Sequence, residues 1–181
     1  RPDSVAQFAE QFEMNMTSLI QTATDEECDL VQDLVLPWAI ENSLSLLEVP
    51  DEDRAEFREW MTIYLHRDRG NIGFTQAGDA ALERAVVYLI MVHLPRLRGG
   101  GDSFMCRLLQ SEVDGTRMTD EEAVGLLMTM AVVGAEDTAR TFANVIYHID
   151  NSIELDMQSL EKEEYLYGII DETIRFAPST H

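Results

Sequence analysis

The chain has 181 residues, 45% of them apolar, which is enough length for one domain with a sizeable core. Thirteen basic residues stand against thirty-four acidic ones, a formal charge of -21, so the surface repels nucleic acid and anionic membrane. The two cysteines, Cys28 and Cys106, make neither a disulfide framework nor a metal spacing. No signal-peptide pattern opens the chain, and its longest apolar run, Val124 to Ala135, is too short to span a bilayer. The expectation is a protein of a reducing, cytoplasmic compartment.

Helical periods follow one another, and period-2 alternation is absent. A first helix begins near Asp3 and Ser4, with Val5, Phe8, Phe12, Met16 and Leu19 on one stripe. TDEECD is a charged turn. A second helix starts near Asp29 and carries Leu30, Val31, Leu34 and Val35; Pro37 marks a joint, beyond which Trp38, Ile40, Leu44 and Leu47 continue the apolar face. VPDEDR restarts a helix with Phe57, Trp60, Met61 and Tyr64, and Gly70 and Gly73 stop the pattern. A long helix follows from about Thr75 to Leu94, ended by Pro95 and RGGG.

Asp102 is the expected cap of a short helix through Phe104, Met105, Leu108 and Leu109, and Asp114-Gly115 is a tight turn. Thr119 with Glu122 three residues on forms a capping box. It opens a helix that runs to about Ile149 and is apolar almost all round in its first half, the pattern of a buried central helix. DNSIELD interrupts, and a last helix runs from about Ser159 to Phe176. The expectation is an all-α, single helical domain over 1-181, with no sheet.

Several of these pieces, in this order, resemble the middle of a bacterial cytochrome P-450. DLVQDLVLPWAIENSLSLLEVPDEDRAEFREW resembles that family's E helix, proline joint and F-helix start. SEVDGTRMTDEEAVGLLMTMAVVGAEDTARTFANVI resembles the turn and the long I helix that crosses over the haem. YGIIDETIRFAP resembles the K helix, with Glu172 and Arg175 in its Glu-x-x-Arg positions as a structural ion pair. The resemblance runs from about the family's D helix to its K helix.

The departures carry their own expectation. The family's cysteine ligand lies in a glycine-rich loop after the K helix; it has no match among these residues, and neither Cys28 nor Cys106 stands at its position. In the I helix, Val133, Gly134, Ala135, Glu136, Asp137 and Thr138 match the family's oxygen-handling motif, with Asp137 where a threonine usually stands. Read this way, the protein is haem-free, holds no cofactor and has no monooxygenase activity, since a thiolate is what makes this haem chemistry work.

The function expected is binding of an apolar natural-product intermediate and a cofactor-independent cyclisation or isomerisation. Asp137 and Glu136 are the candidate acid-base groups. Met130, Val133, Gly134, Thr138 and Thr141 are the candidate substrate-binding residues, in a cavity between the I-like helix and the segments Asp51 to Leu65 and Thr75 to Leu94. Gly134 admits either a ligand or a neighbouring helix crossing. Two alternatives stand beside this: a non-catalytic partner of a biosynthetic enzyme such as a glycosyltransferase, and a fragment of a longer cytochrome P-450. Homodimerisation is a further expectation, because exposed apolar faces need cover.

Metal chemistry has little support. No histidine has a glutamate three residues before it, as a di-iron bundle requires. A two-motif magnesium site would put Leu155, which cannot bind metal, at a ligand position. His93 and His148 read as helix histidines satisfied in place.

Overall fold

The computed structural model describes residues 6–22, 28–68, 70, 73–151 and 157–178. The helix start at Asp3 and Ser4, Val5, most of TDEECD and of DNSIELD, Leu155 and His181 lie outside the described residues.

The first helix, α1 (Ala9–Thr22), is followed by a π-helical turn (Leu30–Val35) that runs without a break into α2 (Leu36–Leu46). Asp29 caps this segment by accepting from the Val31 and Gln32 amides, both at 2.9 Å. The joint expected at Pro37 is therefore a change of helix type. The Leu36 amide donates to the Val31 carbonyl, five residues back, and Pro37 follows in the first turn of α2. Widening the helix just before the proline relieves the clash its ring would make with a carbonyl one turn earlier.

Next come α3 (Asp51–Leu65) and α4 (Gln76–Tyr88), the latter capped by Thr75. The expected stop at Pro95 is also passed. A second π turn (Leu89–His93) leads into α5 (Leu94–Arg98), with the Leu94 amide on the Leu89 carbonyl and Pro95 in the first turn. The short α6 (Phe104–Gln110) is capped by Ser103, which accepts from the Cys106 amide, and not by Asp102. Two residues each of β1 (Glu112–Val113) and β2 (Thr116–Arg117) pair antiparallel, a ladder too short to leave a period-2 signal. Asp114 and Gly115 between them both have positive φ, 52° and 76°, as a two-residue hairpin of this hand requires.

The 32-residue α7 (Asp120–Asn151) opens on the expected capping box. The Thr119 amide donates to Glu122 Oε2 at 2.8 Å, and the Glu122 amide donates back to Thr119 Oγ1 at 3.3 Å. A 3-10 turn (Met157–Glu161) and α8 (Glu163–Phe176) complete the described chain.

The core forms where α2, α3, α4, the second π turn and α7 meet. Phe57, Trp60 and Tyr88 form an aromatic cluster with ring centroids 5.5–5.9 Å apart, beside Ile40, Leu44, Leu47, Leu89, Leu109 and Leu127. Removing each such side chain from water contributes about 1.5–3 kcal/mol. The other end is tied by α1: Trp38 Nε1 donates to the Phe12 carbonyl at 2.9 Å, and Phe8 packs edge-on against Phe104.

One expectation about α7 is corrected. The helix is buried on a single stripe, Ala123, Leu127, Ala131, Ala135 and Ala139, every fourth residue. Of its other apolar residues, Val145 is also buried, Val124, Leu126, Met128, Met130 and Val132 pack partly buried against the core, and Val133 is 46% exposed. The flanks of the stripe pack partly against the core, and only Gly125, Thr129 and Val133, on the side opposite it, are exposed within the run.

Candidate functional site

The positions singled out on α7 separate into three environments, because adjacent helical residues point about 100° apart. Gly134 belongs to the crossing of α2 and α7. A Cβ there would lie 2.9 Å from Ser43 Oγ, so the space over its Cα is taken by α2, and of the two readings of this glycine the packing favours the helix crossing.

Glu136 is turned toward cations. Arg140, one turn on, hydrogen-bonds its carboxylate, and Arg67 comes within 3.9 Å. Arg67 is itself fixed from three sides. Its guanidinium lies 3.9 Å from the Phe74 ring centroid and donates to the Tyr64 carbonyl at 2.7 Å, while Tyr64 and Phe74 stack at 4.6 Å. Partial burial, the largest effect, pushes the Tyr64 hydroxyl above its usual range. Glu136 thus ties the segment after α3 to α7, and its carboxylate is occupied by two arginines.

Asp137 points elsewhere. Together with Thr138 and Thr141 it lines a groove of about 480 Å³ whose other walls are Trp38, Phe142, Val145, Ile146, Ile149, Leu166 and Ile170. Asp137 is the only charged residue of that lining. Trp38 and Phe142 meet at 5.3 Å and close one side. The groove lies between α7, α8 and the start of α2, not between α7 and the α3–α4 pair where the cavity was expected. Spacing explains the placement: 137, 141 and 145 run along one edge of the groove face of α7, turned well away from the stripe at 135 and 139. Met130 and Val133 do not line this groove; Met130 packs partly buried against the core.

Glu172 and Arg175 form the expected pair, with Nε to Oε2 at 2.7 Å and Nη2 to Oε1 at 2.6 Å. The hydrogen bonds from Arg175 hold the Glu172 carboxyl below its ordinary range. A second cleft, on another face of α8, is lined by His148, Glu164, Tyr165, Glu172, Thr173 and Phe176.

Sequence reasoning had no signal for Arg67, Phe74, Trp38, Phe142, Leu166 and Ile170. Each joins the site only through a tertiary contact. The one readable hint was the bulk of Trp38 and Phe142 on helices already taken as amphipathic.

Comparison with known proteins identifies the class. No family model matches the chain. The cytochrome P-450 monooxygenase PikC of Streptomyces venezuelae is 30% identical over 160 residues, 85% of this chain and 36% of PikC. The cyclomarin C epoxidase CymV of Salinispora arenicola is 27% identical over 155 residues, 84% of this chain and 39% of that protein. Among solved structures, CYP109E1 from Bacillus megaterium in complex with corticosterone superposes with a TM-score of 0.77 at 26% identity, covering 97% of this chain and 48% of that one. This chain is a cytochrome P-450-like protein: its homologues are bacterial cytochromes P-450, and it has their helical architecture. It spans about two fifths of the length of these curated relatives. Its α2, α7 and α8 are the helices whose sequences resemble the E, I and K helices of those proteins.

The family implies haem. Among these residues the only thiols are Cys28, exposed in the turn before α2, and Cys106, buried in α6 with its Sγ 3.3 Å from where a Gly101 Cβ would lie. Neither lines the groove or the open face of α7. The residues present do not hold a haem by themselves. Their own capacities are binding an apolar group and presenting one carboxylate to it. No cluster of three metal-ligating side chains occurs among the described residues, and no described helix is long and apolar enough to cross a membrane.

Proposed function

We propose that these residues form the helical wall over the substrate chamber of a cytochrome P-450-like protein acting on an apolar natural product. The single observation that carries this is the one-sided burial of α7. Its stripe at Ala123, Leu127, Ala131, Ala135 and Ala139 is packed, while Val133 and the groove beyond Asp137 stay open. An apolar groove and an exposed valine on the central helix of the core call for cover. Relatives of which this chain spans about two fifths leave ample sequence to cover them. In this reading haem, bound through residues elsewhere in the protein, supplies the oxidation chemistry. Met130 and Val133 give the wall its shape, and Glu136 holds the segment after α3 against α7 through Arg67.

The test is an absorbance spectrum of the intact gene product with haem and carbon monoxide. The band of a thiolate-ligated haem is the expected result. Failure to take up haem by a folded protein sinks the reading.

A second reading has one observation in its favour. Asp137 stands at the threonine position, lines an apolar groove, and has no hydrogen bond or ion pair among the described residues. A haem-free protein could use that carboxylate as an acid-base group in a cyclisation or isomerisation, the groove supplying orientation. Turnover by wild type without haem, lost in Asp137→Asn, is its expected signature. Normal turnover by Asp137→Asn removes it.

A further inference from the structure

The end of α2 and the second π turn meet at a buried histidine. α2 finishes with Glu48 in the left-handed region, φ 58°, and with the Val49 amide on the Leu44 carbonyl and the Glu48 amide on the Ser45 carbonyl. This end motif satisfies two carbonyls and leaves that of Leu47 without a backbone donor. His93 fills the vacancy. It is fully buried, and its Nε2 lies 2.8 Å from the Leu47 carbonyl, 46 residues away. A carbonyl only accepts, so Nε2 carries the proton and Nδ1 is the bare nitrogen of a neutral ring. Nδ1 is buried and has no partner.

The contact extends to α3. The His93 ring stacks on Tyr88 at 5.9 Å, and Tyr88 donates to Asp53 Oδ2 at 2.7 Å in the first turn of α3. Asp53 also receives Arg96 at 3.1 Å. One histidine therefore links the end of α2, the start of α3 and the π turn between α4 and α5.

We propose that His93 is an acid-released pin: as a neutral ring it holds the α3–α4 pair to the end of α2, and protonation withdraws it. A proton on Nδ1 would create a second buried donor with nothing to receive it, at a desolvation cost that opening of the corner relieves. The groups that bear on the ring are Glu48 beside α2, Asp53 on α3, Tyr88 on α4 and Arg96 on α5. Burial, the largest effect, opposes the charged ring, as does Arg96, while the hydrogen bond to the Leu47 carbonyl, Asp53 and Glu48 favour it. The buried face of α7 here is apolar, Ala123, Leu127 and Ala131, and offers no acceptor. The net direction is downward from the ordinary value near 6.5, so the pin's contribution is complete above that pH and is lost as pH falls below it.

The experiment is amide hydrogen exchange on the intact protein between pH 7.5 and 5, corrected for intrinsic rates, beside histidine ring NMR. Residues 47–57 and 88–96 are expected to lose protection by up to about tenfold per pH unit below 6.5, while the α1 end stays protected. The His93 ring is expected as the Nε2–H tautomer at pH 7.5. His93→Gln can still donate to Leu47 but does not titrate, and should stay folded with a pH-independent corner. His93→Phe should show the open corner at all pH values. An acid loss that persists in His93→Gln, or a His93 that titrates with no change in exchange, overturns the proposal.

Discussion

Replacing Gly134 by alanine tests the central packing claim. A methyl group at that position would lie 2.9 Å from Ser43 Oγ and 3.9 Å from Ser43 Cβ. Only the hydroxyl is too close, and Ser43 is buried, 4% exposed. Overpacking of this kind costs about 1–3 kcal/mol, against which alanine gains about 1 kcal/mol over glycine in a helix interior. Gly134→Ala alone should therefore range from neutral to about 2 kcal/mol destabilising. In a Ser43→Ala background the hydroxyl is gone, and the same change should stabilise by about 1 kcal/mol. The coupling between the two positions is then about 1–3 kcal/mol, or several degrees in Tm at about 2–4 °C per kcal/mol for a chain of this size. Denaturant and thermal unfolding of the four proteins measure it. If alanine at 134 changes stability equally in both backgrounds, Ser43 does not fill the open side of Gly134. The glycine would then be available to a ligand after all.

Other consequences are as direct. Tyr88→Phe removes the hydrogen bond that chiefly holds the Asp53 carboxyl below its ordinary value of 3.8, so NMR titration should show Asp53 moving up. A depressed carboxyl contributes stability above its unfolded pKa that is lost as pH falls, so this acid loss should shrink in Tyr88→Phe. Thr119→Ala deletes the hydroxyl of the capping box and should cost about 1 kcal/mol, read by urea unfolding, with exchange faster in the first turn of α7. Arg67→Met keeps an apolar stem over Phe74 but frees Glu136 of one cation. Fluorescence of a probe placed after α3 should report a looser segment, with global stability lowered by about 1–2 kcal/mol, because the half-buried pair and the hydrogen bond to the Tyr64 carbonyl are lost together.

What the sequence disclosed followed from how locally each feature is determined. The helix start near Asp29, the Thr119–Glu122 box, the Asp114-Gly115 turn and the Glu172–Arg175 pair each involve residues within four positions, and all four are present. Pro37 and Pro95 misled because a proline forbids a regular α-turn, whereas a π turn ahead of it is a tertiary solution that local patterning does not encode. The apolar first half of α7 was read as thorough burial, since pattern alone does not say how many faces are covered. Gly134 showed that something approaches closely but not what; Ser43 stands 91 positions before it in sequence. Glu136 and Asp137 looked like one pair of acids, and the helix sends them to two unrelated surroundings.

The second π turn also sets rotational phase. From α4 into α5 one line of buried residues, Ala81, Ala85, Leu89, His93 and Leu97, advances in steps of four, with Tyr88 and Leu94 buried beside it. On a regular α-helix each such step drifts by about 40°, so Leu97 would end about 160° around from Ala81, nearly on the far side. The wider turn at 89–93 takes up part of that drift and keeps one line of side chains directed inward over the whole length. A single helix can then serve α3 with its first half and the end of α2 with its second. Deleting one residue at 89–93 would restore a regular helix and leave every contact upstream intact, while turning His93, Leu94 and Leu97 away from the partners they were set to meet.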